Sequence, residues 1–398
     1  MDFDLTHAPD DFIQDPFPFY EAFLKEAPVL AQPDGSFIIS KHADLDMIYR
    51  DTKRFSSDKK KMFGSKFGED SPLYEHHTTS LVFNDPPLHT RIRQAMVGAL
   101  NARAIVAMEP ALIETVDQLL DRLSGKENVD LIEDYASQIP IQVIGNLFDI
   151  PLAERGPLRA WSLAILSALE PSLTEEQETR GNRAVTEFID FLRDLVNRRR
   201  QRLGDPETDV LSRLILSEGE QISEVELLQN CIFILNAGHE TTTNLIGNAL
   251  SVLHEFPDQM RALKENSEHI KRSVDEFLRF LSPNQFGNRL TMEEMEISGI
   301  TIPSGSNLHL CIGAANRDTS VFQYPNELDL NRHPNPHLAF AGGPHLCVGF
   351  SLARMEGQIA IARFLNRFPD YQLEDGAELG GRIRFRGFAK LPAALNTQ

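Results

Sequence analysis

Cysteine is scarce in this chain. Only Cys231, Cys311 and Cys347 occur among 398 residues, widely spaced and with no C-x-x-C pair. An odd, scattered set builds neither a disulfide framework nor a zinc site, and it suits a reducing compartment such as the cytoplasm. Positive charge is also short: 39 Lys and Arg against 58 Asp and Glu, a net charge of −19. Phosphate backbones need clustered cations, so a nucleic-acid partner is not expected. The opening Met1-Asp2-Phe3-Asp4-Leu5 has no basic region and no apolar run, so neither a signal peptide nor a membrane anchor is expected. No Pro/Gly/Ser linker, low-complexity tract or repeat divides the chain, which reads as one domain over residues 1–398.

What is present centres on the stretch from Phe340 to Phe350, Phe-Ala-Gly-Gly-Pro-His-Leu-Cys-Val-Gly-Phe. Two glycines and a proline make a sharp loop, and a helical pattern follows through Leu352, Met355, Ile359 and Phe364. Cys347 therefore stands at a helix mouth, where unpaired N–H groups and the dipole favour a thiolate. One soft ligand offered from a Gly-rich loop suits haem iron. Taken alone, the same residues also describe a buried cysteine ahead of an amphipathic helix.

A second stretch, residues 223–256, reads as a helix of about 30 residues and roughly 45 Å. Ser223 and Glu226 form a capping box and Pro257 sets the far limit. Its flanks are apolar, Leu227 to Leu235 and Leu245 to Leu253, but its middle is Ala237-Gly238-His239-Glu240-Thr241-Thr242-Thr243. Glycine and β-branched residues are poor mid-helix choices, and a carboxylate in an apolar helix is costly unless used. Such local inconsistency marks functional sites. Further signals are Asp85-Pro86-Pro87 before His89 and Arg93, four apart on one helical face, and Glu276 with Arg279, three apart. Each alone is also what a solvated helix face or a surface ion pair looks like.

Taken in order, Asp-Pro-Pro-x-His, Ala-Gly-x-Glu-Thr-Thr, Glu-x-x-Arg and the cysteine loop resemble the cytochrome P450 family. The resemblance covers most of the chain, most strongly 223–365. It implies a mainly α fold with a small β region, the cytochrome P450 fold, holding haem b. There is no C-x-x-C-H, so the haem would not be covalently attached. Cys347 would ligate the iron, with Phe340, His345 and Gly349 shaping its loop. His89, Arg93 and Arg289 would bind the propionates, a role suited to arginine and anionic carboxylates. Ala237 and Gly238 would leave room for dioxygen, and Glu240 and Thr241 would deliver protons for splitting it. Glu276, Arg279 and Arg332, the last in Asp329-Leu330-Asn331-Arg332, would form a structural network holding the haem loop. Phe83, Leu235, Gln285, Phe286 and Gly287 would line the substrate pocket.

The implied activity is insertion of one oxygen atom from O2 into a hydrophobic small molecule by a monomeric enzyme. Electrons would come from NAD(P)H through a separate ferredoxin reductase and a [2Fe–2S] ferredoxin. A peroxide-driven peroxygenase and a non-catalytic haem sensor are the alternatives, and an intact Glu240–Thr241 pair argues against both. Residues 55–84 show no clear period and read as a long irregular loop, either the pocket's roof or a mobile surface loop. Arg198-Arg199-Arg200 reads as a solvated helix end, and 382–388 as a strand of alternating basic and apolar residues. No Asp or Glu lies between Asp329 and Glu356, a span carrying Arg332, His333, His337, His345 and Arg354. That window would suit an acidic ferredoxin, though a Gly/Pro-rich loop also has few charges of any kind.

Overall fold

The computed structural model describes residues 1–395. In chain order its site-shaping elements are β1 (Val29–Ala31), β2 (Phe37–Ile39), β3 (Phe55–Ser56), α1 (Lys60–Phe67), α2 (Pro72–Thr79), α3 (Leu88–Ala99), α4 (Gln138–Leu147), α5 (Glu175–Gln201), α6 (Glu224–Glu255), α7 (Ile270–Phe280), β4 (Phe286–Thr291), β5 (Asn307–Cys311) and α8 (Phe350–Arg367). Helices predominate and the sheets are small, as expected. By contact the chain forms two compact units, each assembled from separate stretches: residues 1–55, 112–139 and 241 onward in the first, 56–111 and 140–240 in the second. The boundary falls inside α6, between Glu240 and Thr241. Among the described residues no single helix is long and apolar enough to cross a membrane.

The first unit is built on a five-stranded sheet in the order β1-β2-β5-β4-β3. β5 pairs parallel with β2, Ile39 opposite Leu310, and antiparallel with β4, Arg289 opposite Leu308. Apolar residues run along these strands because both faces are covered. One face packs Ile39, Leu45, Ile48, Tyr49, Leu308 and Leu310, and the other packs Phe3, Phe12, Tyr20, Phe23 and Phe286.

The second unit is helical. α5 opens with a capping box, Thr174 with Gln177, and carries three acids in its first turn and three arginines in its last, each end matched to the helix dipole. Those arginines are not simply solvated. Arg198 pairs with Glu154, Arg199 with Asp149 and Asp209, and Arg200 with Glu218 and Glu224. Arg199 is only 10% exposed.

Two expectations need correction. The stretch 55–84 is largely helical: α1 and α2 are two-turn helices, too short to show a 3.6-residue period. Phe63 and Phe67 hold the first in place, and the Ser71 hydroxyl caps the second by accepting from the Tyr74 N–H. Residues 382–387 form no strand; only Phe385 makes an isolated bridge, to Asn284. The Arg386 guanidinium instead donates to the carbonyls of Ile13 and Gln14, tying this segment to the N-terminal one.

Candidate functional site

The Cys347 loop belongs to the first unit. Gly343 has φ +60°, and a Cβ there would lie 2.2 Å from the Tyr49 carbonyl oxygen, so only glycine fits. The Cys347 N–H donates to the Phe340 carbonyl at 3.0 Å and the Leu346 N–H to Gly343, closing the loop on itself. Helix α8 begins three residues after the cysteine with Gly349 as its cap. Nothing lies within 4 Å of where a Gly349 Cβ would project. Residues 345–351 are all half-buried, whereas Cys231 and Cys311 are sealed at 0% exposure, and burial pushes both those thiols up. Cys347 is thus the one cysteine whose surroundings are open. Among the described residues no group of three or more His, Cys, Asp or Glu could hold a metal ion. A lone thiolate fits a metal that brings its other donors with it, as haem iron does.

Behind the loop stands α7, which carries adjacent carboxylates at Asp275 and Glu276. Glu276 and Arg279 are fully buried and paired at 2.7 and 2.8 Å. Arg332 joins at 3.1 Å, and Glu276 also accepts from the Asp329 N–H and the Asn335 amide. The three residues expected to form a network therefore meet. Removing one partner of so buried a pair strands the other charge and costs about 3–5 kcal/mol. Asp275 pairs with Arg354 at 2.7 Å and His337 at 3.2 Å. The stretch without acids is consequently not a surface without acids: α7 neutralises Arg332 and Arg354 and engages His337.

Arg289, on β4, is 7% exposed, donates to the Asn288 carbonyl and lies 5.3 Å from the Tyr49 ring centroid. Of the neighbouring candidates for substrate contact, Gln285 and Phe286 are buried and Gly287 is half-buried. Gln285 accepts from the Tyr20 hydroxyl at 2.7 Å and donates to the Ser282 carbonyl. Phe286 packs among Phe12 and Tyr20, 2% exposed. At Gly287 a Cβ would fall 2.3 Å from the Tyr49 hydroxyl, so the space glycine leaves is already filled by tyrosine.

In the second unit, α3 presents His89, 2% exposed, and Arg93, half-buried. The Asp85 carboxylate accepts from the Ser56 hydroxyl and the Ser57 N–H, so the acid of the Asp-Pro-Pro run latches the start of α3. Phe83 is half-buried, edge-on to Phe63 at 4.9 Å, whereas Leu235 is 2% exposed. Ala237 is exposed, but at Gly238 a Cβ would stand 3.0 Å from Ile144 of α4, so that glycine serves close helix packing.

Helix α6 shows one more feature. The expected capping box is present, Ser223 and Glu226 bonding reciprocally at 2.7 and 3.2 Å. From Leu227 to Leu253 every residue is buried except Phe233, Ala237, Gly238 and Thr241. Their spacing puts them on one face. Glu240, 6% exposed, sits beside this open stripe. Phe233 was not singled out from the sequence, although its four-residue spacing to Ala237 and Thr241 carries the signal.

The family model for cytochrome P450 matches residues 159–375. The biotin biosynthesis cytochrome P450 of Bacillus subtilis (strain 168) is 33% identical over 398 residues, covering 98% of both chains. The vitamin D(3) 25-hydroxylase of Pseudonocardia autotrophica is 36% identical, covering 96% of this chain and 94% of its own. Among solved structures, P450BioI in complex with hexadec-9Z-enoic acid ligated acyl carrier protein matches with a TM-score of 0.91 and 32% identity, over 97% of this chain and 100% of the other.

Proposed function

The chain belongs to the cytochrome P450 family and is a haem-binding monooxygenase, and from that premise we propose that Cys347 is the protein ligand to the iron of haem b, that a [2Fe–2S] ferredoxin and its reductase supply electrons from NAD(P)H, and that the substrate is a small hydrophobic molecule. The observation that carries the ligand assignment is the contrast among cysteines. Two are sealed in cores, while Cys347 stands half-open on a loop closed by its own backbone. His89, Arg93 and Arg289 supply the donors that anionic propionates need. Phe340, His345 and Gly349 shape the loop around the sulfur. We read 1–398 as one domain, because neither unit is a continuous stretch of chain.

When bound, the haem would supply the dioxygen chemistry, in which two electrons from NAD(P)H and two protons reduce one oxygen atom to water while the other goes to the substrate. The chain's own part is proton handling and exclusion. Glu240, a carboxylate in the polar middle of a helix with apolar flanks, takes a proton from the solvent side and passes it to the Thr241 hydroxyl. Thr241 relays it, its hydroxyl giving up its own proton on the open face of α6 as it receives that of Glu240, where Ala237 keeps the space clear and Gly238 lets α4 pack close. Phe233 and Phe83 are the half-buried apolar residues suited to substrate. Gln285, Phe286 and Leu235 are buried against protein, whereas Gly287 is half-buried. One relative is named for vitamin D(3), and one matched structure is a complex with hexadec-9Z-enoic acid ligated acyl carrier protein, whose acyl chain is the small molecule. Both are long apolar molecules, which supports hydrophobicity and nothing narrower. Ferredoxin docking cannot draw on unpaired charge at Arg332 or Arg354, and must use other cations of that face.

Thr241→Ala tests the relay. Product formed per NAD(P)H should fall about tenfold or more, in line with the loss of a general acid, with hydrogen peroxide appearing in its place. Unchanged coupling would defeat the assignment. Substrate-dependent oxygen uptake with a ferredoxin system, set against hydrogen peroxide alone, separates this reading from a peroxygenase and from a sensor.

A further inference from the structure

The stretch around the cysteine loop is held to α7 at two points, and only the Glu276 network has been given a purpose. The other point is built around Asp275. Its carboxylate accepts from Arg354 Nε at 2.7 Å and from His337 Nε2 at 3.2 Å. His337 Nδ1 accepts the Ala339 N–H at 3.3 Å, which fixes the ring's tautomer with its proton on Nε2, facing the carboxylate. The His337 side chain is 3% exposed, and its ring lies 5.8 Å from that of Phe340. The Arg354 guanidinium lies 4.9 Å from the centroid of Phe340 and 5.4 Å from that of Phe350. Those two rings are 6.3 Å apart.

Phe340 and Phe350 are the two ends of the cysteine loop, seven residues before Cys347 and three after it. Phe340 also supplies the carbonyl that accepts the Cys347 N–H. A cation wedged against both rings, and itself pinned by Asp275, therefore fixes the separation of the loop's ends. Burial alone would raise the Asp275 carboxyl, but hydrogen bonds from His337 and Arg354 outweigh it and hold the group below its ordinary value. Asp275 thus stays ionised across the working range, and the wedge stays pinned.

We propose that Asp275, Arg354 and His337 form a clamp that positions the Cys347 sulfur by fixing Phe340 and Phe350, distinct from the Glu276 network next to it. None of the three is a catalytic residue; they act through the loop. The inference rests on Cys347 being the haem ligand. Its consequence is specific. A loosened loop lets the sulfur protonate or leave the metal, which changes the spectrum of the reduced protein before it changes the fold.

The experiment compares holoprotein of the wild type with Arg354→Gln, Arg354→Lys and Asp275→Asn. Arg363→Gln is the control, because Arg363 lies on the same helix and pairs with Asp117 away from the loop. The readouts are the reduced carbon-monoxide spectrum, the reduction potential and the melting temperature. The clamp predicts a several-fold rise in the non-thiolate fraction of the carbon-monoxide adduct for Arg354→Gln. Asp275→Asn should show a smaller rise and Arg354→Lys partial rescue, because lysine keeps the charge but not the flat face. Arg363→Gln should melt earlier with an unchanged spectrum. If Arg354→Gln gives no holoprotein, the Lys and Asn variants decide. Thiolate spectra and potentials unchanged in the Arg354 and Asp275 variants would overturn the clamp. A wild type without a thiolate spectrum would instead overturn the ligand assignment on which the clamp stands.

Discussion

Gly343 and Gly349 sit six residues apart in the same loop and are needed for different reasons. Gly343 is required by the protein: its φ of +60° is costly for any side chain, and its Cβ would strike the Tyr49 backbone oxygen. Gly349 meets no protein atom, and its φ of −89° suits any residue. Gly343→Ala should therefore destabilise the fold itself, by about 2 kcal/mol or more from backbone strain and overlap. Gly349→Ala should leave the fold's melting temperature nearly unchanged and yet lower haem occupancy if the cofactor takes the proposed place beside the loop. Measuring melting and haem content for both variants checks this, and equal melting losses would contradict it. From the sequence the two glycines look alike. What separates them is Tyr49, almost 300 residues away, which no local pattern records.

At the scale of elements, α6 and α7 were legible and α1 and α2 were not. The long helix announces itself by a capping box and two apolar flanks, and its broken middle points to chemistry. Two-turn helices carry too few residues to show a period, and partners such as Asp275 and Arg354 lie 79 residues apart. Helix α8 holds a further consequence. Glu356 is 2% exposed, and among the described residues its Oε2 has no hydrogen-bond partner. Beside it Gly357 brings α8 against Leu245 of α6 and Val274 of α7. Burial alone pushes the Glu356 carboxyl from 4.5 up to about 8. Below about pH 4.5 both folded and unfolded chains hold the proton. Above it the unfolded chain ionises first, so this group costs stability increasingly until about pH 8, where the cost levels off. Glu356→Gln should therefore gain in melting temperature relative to wild type as pH rises from about 5 to about 8, at up to about 1.4 kcal/mol per pH unit. A difference that does not vary with pH would contradict the buried, neutral acid.

Across the whole molecule, the mainly α fold and the order of the motifs could be read in advance, because each motif is a local solution to a local problem. Charge could not be read the same way. The span from 330 to 355 looks cationic in sequence, yet Asp275 and Glu276 reach into it from α7 and cancel much of that character. The open stripe of α6 shows in its spacing, whereas the packing of Tyr20 and Tyr49 against residues 285–287 joins positions far apart in the chain and leaves no local pattern. The proposed activity depends on the sulfur at position 347. The most direct measurement is the absorption spectrum of the purified, haem-loaded protein after reduction under carbon monoxide, for wild type and Cys347→His. Thiolate ligation predicts a strongly red-shifted Soret band for wild type and its complete loss, with haem retained, in the variant. A histidine-type band in the wild type, or the same red-shifted band in both proteins, would contradict it.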